Sequence, residues 1–165
     1  MNFGISEGIA LLSLFVSVVA AVFAKNSSSA ANKISKDNLN LQYGMVELEM
    51  RQAIENAKAK VNDIAIIMAP LLSKKGGGTI DAEGEFTLES YRKNFDAAVE
   101  TLLNTYDDAC SKYLDGKVDR ERFKKNYKFE IRNLLEKEDL KEYFSPLTSR
   151  YKPIINVYTE WESVE

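Results

Sequence analysis

Apolar residues recur along this chain in three ways, and each predicts helix. From Gly8 to Ala24 they are nearly continuous: no charge occurs, and only Ser13 and Ser17 are polar. A helix of that length rises roughly 25 Å, at the lower limit for crossing a bilayer, and Glu7 is the one charge near its outer end. From Ile34 to Ser73 the apolar positions are instead spaced by three and four. Leu39, Tyr43, Val46, Met50, Ile54, Ala57, Val61, Ile64, Met68 and Leu71 form one stripe of a long amphipathic helix. A 4-4 step around Met50 interrupts the alternation, a stutter in coiled-coil terms. Between these stretches lies Lys25–Asn32, KNSSSAAN, a linker or a continuing helix.

The remainder repeats the helical pattern in shorter pieces. Leu88, Tyr91, Phe95, Ala98, Leu102, Tyr106, Ala109 and Tyr113 make one stripe, joined by Val99, Leu103 and Cys110. Phe123, Tyr127, Ile131, Leu134 and Leu135 make a second, and Tyr151, Ile154, Ile155, Tyr158 and Trp161 a third. Helix ends are marked by local chemistry. Lys74-Lys75-Gly76-Gly77-Gly78 breaks the long helix, and Leu114-Asp115-Gly116 ends the next with glycine in the C′ position. Thr87, Asp119 and Ser149 are the expected N-caps. Pro70 predicts a kink or an altered last turn, whereas Pro153 falls in a first turn, where proline is tolerated. No segment alternates with period two. The expected class is all-α: a transmembrane helix over 1–25, a linker and long amphipathic helix over 26–75, and the rest of a cytoplasmic helical bundle over 76–165.

The first segment reads as an anchor more than as a cleaved signal. Residues 2 to 7 lack Lys and Arg, while Lys25, Lys33 and Lys36 follow the apolar run, although Ala-Val-Phe-Ala-Lys imitates a cleavage site. The positive-inside rule then places the short N-terminus outside and the rest in the cytoplasm. The segment is also two-faced. Ser6, Ala10, Ser13, Ser17, Ala20 and Ala24 form a small-residue stripe at spacings of four and three, opposite Ile5, Ile9, Leu12, Val16, Val19 and Phe23. Small residues let membrane helices approach closely. The stripe is therefore the expected helix-packing or pore-lining face of a homo-oligomer in the lipid bilayer, with chance patterning of an Ala/Ser-rich anchor as the alternative.

Composition narrows the chemistry. There is no histidine, which removes the commonest general base, the Ser-His and Cys-His nucleophile systems and nearly all zinc sites. Cys110 is the only cysteine, so no intrachain disulfide is available. Net charge is −3 and the pI about 5.2, which gives no overall field for nucleic acid, and Lys124, Lys125 and Lys128 alternate with aromatics at core spacing. The triple glycine lacks the GxxxxGK[ST] context of a phosphate loop. Aligning Asp115-Gly116 with a calcium loop puts Ser111, Tyr113 and Arg122 at positions 1, 3 and 12, where oxygen ligands and a bidentate Glu are required. No catalytic residue, metal ligand, cofactor or direct nucleic-acid contact is expected.

Arg132-Asn133 resembles half of the Arg-x(4–6)-His motif of HEPN ribonucleases, in which a polar residue, often Asn, follows Arg. Lys137, Glu138 and Asp139 stand where histidine would fall, so the resemblance implies a divergent HEPN-like body without nuclease chemistry; an ordinary surface Arg beside Asn is the alternative. The anchor at residues 5 to 24, the long helix and the YDDACSKYLDGKVD…EIRN…VYTEW region together resemble small single-pass bacterial membrane proteins. Among these, the layout is similar to the accessory membrane proteins of type VI-B CRISPR systems. That resemblance implies an oligomeric pore that perturbs the inner membrane in antiphage defence, functionally linked to an RNA-guided effector. A membrane-tethered adaptor, whose helical domain binds a cytoplasmic protein, is the competing expectation.

Overall fold

The computed structural model describes the backbone of residues 5–145 and 147–163, and side chains at residue 17, from 20 to 145 and from 147 to 163. Every regular element among them is helical: α1 (Ile5–Gly76), α2 (Ala82–Leu114), α3 (Arg120–Glu136), a 3-10 segment (Glu138–Phe144) and α4 (Lys152–Glu162). The chain divides into two compact units, Met1–Gln42 and Tyr43–Glu165.

The first unit consists of the N-terminal part of α1. Residues 25 to 32 continue the helix. Their Asn and Ser residues have modest helix propensity, which continuation from both sides overrides. Among the described residues no helix is long and apolar enough to cross a membrane. The expected membrane segment at residues 5 to 24 falls mainly on side chains outside the described set. Val22 and Phe23, at its end, are 54% and 68% exposed.

The second unit holds the core. Met50, Ile54, Ala57, Ile64 and Met68 of α1 are buried, as the periodicity requires, whereas Leu39 in the first unit is 45% exposed. Two clusters result. One joins Ile64 and Met68 to Leu88 and Ala98 of α2, with Val61, Leu71, Ile80, Tyr91 and Phe95 packed around them. The larger one gathers Met50 and Ile54, then Leu103, Tyr106 and Cys110 of α2, Phe123 and Ile131 of α3, and Ile154, Val157 and Trp161 of α4. Trp161 meets Tyr113 edge-on, with ring centroids 5.5 Å apart, and its indole N–H donates to the Tyr113 hydroxyl at 3.0 Å. Phe123 lies 5.2 Å from the same tyrosine ring.

Helix ends follow backbone logic with two corrections. Gly78 and Gly116 both take positive φ, 66° and 68°. At each, two reverse bonds close a Schellman cap: Gly78 N to Lys75 O and Thr79 N to Lys74 O, then Gly116 N to Tyr113 O and Lys117 N to Lys112 O. The triple glycine therefore serves as a helix stop, and α1 runs through Pro70 to reach it. Asp119 caps α3, accepting from Arg122 N at 2.9 Å. Thr87 does not cap α2: the helix starts five residues earlier, behind Asp81, whose carboxylate accepts from Gly84 N at 2.8 Å. Ser149 does not cap α4 either. Its hydroxyl accepts from Tyr151 N ahead of the helix, and Asp107 of α2 instead reaches Ile154 N in the first turn, at 3.4 Å. The buried face of α4 is accordingly Ile154, Val157 and Trp161, with Ile155 and Tyr158 only partly covered.

Two substitutions test these assignments by chemical denaturation. Gly116→Ala is expected to lose about 1 kcal/mol, because a Cβ is strained in the left-handed region. Ile131→Ala, at a fully buried position, is expected to lose about 2–5 kcal/mol.

Candidate functional site

Of the small-residue stripe, Ser17, Ala20 and Ala24 are exposed on α1, while the side chains of Ser6, Ala10 and Ser13 lie outside the described residues. The Arg132-Asn133 pair is described in full. Arg132 Nη2 donates to Glu162 Oε1 at 2.5 Å, and its Nε lies 3.9 Å from Glu136 Oε1, so the guanidinium ties α3 to α4. Asn133 is exposed, and its carbonyl accepts from Lys137 N at the helix end. Lys137, Glu138 and Asp139 are exposed beyond that end. The arrangement is a half-buried ion pair between helices.

Two features that the sequence did not reveal are assembled by the fold. The first is a polar seam between α1, α2 and α3. Lys58 Nζ donates to both Glu130 oxygens at 2.9 Å, and the Tyr106 hydroxyl donates to Glu130 Oε2. Arg51 donates to the Tyr127 hydroxyl alongside. Burial by itself lowers the Lys58 pKa, but its bonds to Glu130 and Glu55 outweigh this and hold it above the ordinary lysine value. Burial, reinforced by the Glu130 charge, pushes the Tyr106 phenol far up. Burial also raises Tyr127, with Arg51 pulling the other way. A lysine locked charged and phenols locked neutral do not exchange protons near neutral pH, so the seam is a structural network.

The second is a groove of ≈ 270 Å³ beside α2. Its floor is apolar: Val61 from α1, Phe95, Val99, Leu102 and Leu103 from α2, Leu134 from α3, and Leu140 and Tyr143 from the 3-10 segment. Asp96, Asp139, Glu142 and Lys137 complete the lining, all four exposed. Among the described residues none of these three carboxylates forms an ion pair, in contrast to neighbouring Glu100, which holds Arg150 at 3.0 Å. Burial raises the Tyr143 phenol, and Asp96, Glu142 and Glu100 add a negative field in the same direction. Asp96 and Asp139 lie on elements separated by a whole helix, so no local spacing signals the rim.

Other candidate chemistry is inert in place. Cys110 is fully buried, and burial pushes its thiol well above the ordinary range, away from nucleophilic reactivity. Among the described residues no group of carboxylates and thiol is arranged to hold a metal ion. Asp115 pairs with Lys117 at the turn and Asp119 caps α3, so neither joins a calcium loop. No family model matches the chain, and no curated protein or solved structure is significantly similar to it.

The seam predicts an alkaline limit to stability. An unfolded tyrosine ionises near pH 10, whereas burial and the Glu130 charge hold the Tyr106 phenol neutral to well above that. Its folded pKa lies above the unfolded one, so its contribution is complete below pH 10 and is lost as pH rises beyond it. Between pH 9 and 11 the Tyr106→Phe protein is expected to lose about 1.4 kcal/mol less stability than the parent, read from urea unfolding at both pH values.

Proposed function

We propose that this chain is a membrane-anchored helical protein that self-associates through its N-terminal segment and forms a pore in the bacterial inner membrane, with its helical body in the cytoplasm. The observation that carries the reading is the uncharged run Gly8–Ala24, followed by Lys25, Lys33 and Lys36, within the continuous helix α1. Exposed Val22 and Phe23 at the end of that run favour a lipid or helix neighbour. The Ser/Ala stripe through Ser13 and Ser17 supplies a face for close packing or for water. The body favours a non-enzymatic role: its thiol is buried, Lys58 is held charged by Glu130, and Arg132 is engaged with Glu162. The resemblance to type VI-B accessory membrane proteins extends the proposal to antiphage defence beside an RNA-targeting effector, and the divergent HEPN-like body belongs to that same extension.

The second reading, a membrane-tethered adaptor, is favoured by one observation, the apolar groove with its unpaired acidic rim. Here the anchor only localises the body.

The native mass of the full chain in detergent tests self-association. The expected result is a discrete oligomer, and a clean monomer sinks the pore reading. Ser13→Leu or Ser17→Leu is expected to abolish ion flux in liposomes while leaving expression and oligomer mass unchanged. Exchange of residues 1–25 for an unrelated transmembrane helix separates the readings: activity is lost for a pore and kept for an adaptor.

A further inference from the structure

We propose that the groove beside α2 is a docking site for a basic amphipathic segment of a partner protein, which inserts apolar side chains between Val99 and Leu140 and sets Lys or Arg against Asp96, Asp139 and Glu142. The proposal rests on the adaptor reading of the body and holds whether or not the anchor conducts.

Three observations converge on this occupant. The groove holds ≈ 270 Å³, small for a drug-sized ligand but enough for two or three apolar side chains. Such side chains recur at three and four residues on an amphipathic helix, which is how helices engage grooves. The floor is continuous with the main core through Leu103, so an occupant gains burial against side chains that are already fixed. The rim then selects the sign of charge. Where carboxylates of this unit join its helices they hold a cation: Glu130 holds Lys58, Glu47 holds Arg122, Glu100 holds Arg150 and Glu162 holds Arg132. The three rim carboxylates carry no such partner among the described residues and face a single cation, Lys137. Exposed and without an ion-pair partner, they are available to a cationic guest. At the groove wall the Tyr143 phenol is raised first by burial and then by the charges of Asp96, Glu142 and Glu100.

The full chain in phosphatidylcholine nanodiscs provides the test, with empty nanodiscs subtracted. The probe is a short helical peptide of leucine and lysine, apolar at i, i+3, i+4 and i+7, beside a twin with glutamate in place of lysine. The lysine peptide is expected to bind about tenfold tighter than its twin and to shift the methyl resonances of Val99, Leu102 and Leu140. Raising salt from about 0.05 to about 0.5 M should weaken it, because the rim is exposed. The triple variant D96N/D139N/E142Q, altered only at exposed positions, should keep its melting temperature and lose the preference. Leu140→Glu should abolish binding of both peptides. Equal binding of the two peptides, an undiminished preference in the triple variant, or shifts confined to other methyl groups would overturn the proposal. So would binding of octylammonium in the groove without binding of the lysine peptide. Loss of cellular activity on anchor exchange with peptide binding intact would overturn the adaptor reading alone, so the two failures are distinguishable.

Discussion

The body of this protein depends on the contact between Tyr113 of α2 and Trp161 of α4. The rings meet edge-on, the indole donates to the phenol oxygen, and the phenol in turn donates to Glu160 at 2.7 Å. Each polar atom that these large side chains carry into the core thereby finds a partner, which makes their burial favourable. Phe123 stacks on the same tyrosine, so one aromatic cluster secures α2, α3 and α4 together. With a single buried cysteine and no disulfide, apolar burial must do what cross-links do in small secreted domains.

Around that core the charges have separated into two populations. Glu130 is enclosed by Lys58 and Tyr106, and Arg132 by Glu162, each joining helices distant in sequence. These half-buried pairs fix how helices register, because removing either partner would strand a desolvated charge. The groove rim is the opposite case. Its carboxylates stay in water and hold no ion pair among the described residues, so they contribute little to stability. The paired charges thus sit at the α1–α2–α3 seam and between α3 and α4, and the unpaired rim charges sit on α2 and the 3-10 segment.

Lys58, Tyr106, Tyr127 and Cys110 are shifted upward, away from neutrality, whereas burial raises the Asp107 carboxyl toward it, with the Ile154 N–H pulling the other way. An apolar N-terminal run, exposed Phe23 and an acid-rimmed groove are features of surfaces that meet lipid or other proteins.

Helical class, the buried stripes of α1 and α2, the stops at Gly78 and Gly116 and the cap at Asp119 were legible in the residues alone. Each is governed by local backbone geometry or by the 3.6-residue period, which act within a few positions. The Arg-Asn dipeptide was legible as a string, but its partner, Glu162, was not. The two missed caps mark the same boundary. Thr87 and Ser149 have the right chemistry for capping, yet Asp81 lies at the true start of α2, and α4 takes its cap from Asp107 of another helix. Likewise nothing near Asp96 announces Asp139 and Glu142. Those three, and the triad of Lys58, Tyr106 and Glu130, are set by how helices pack, and packing depends on the summed fit of distant side chains. Local periodicity determined the helices; tertiary packing decided which charges pair and where an open apolar groove remains.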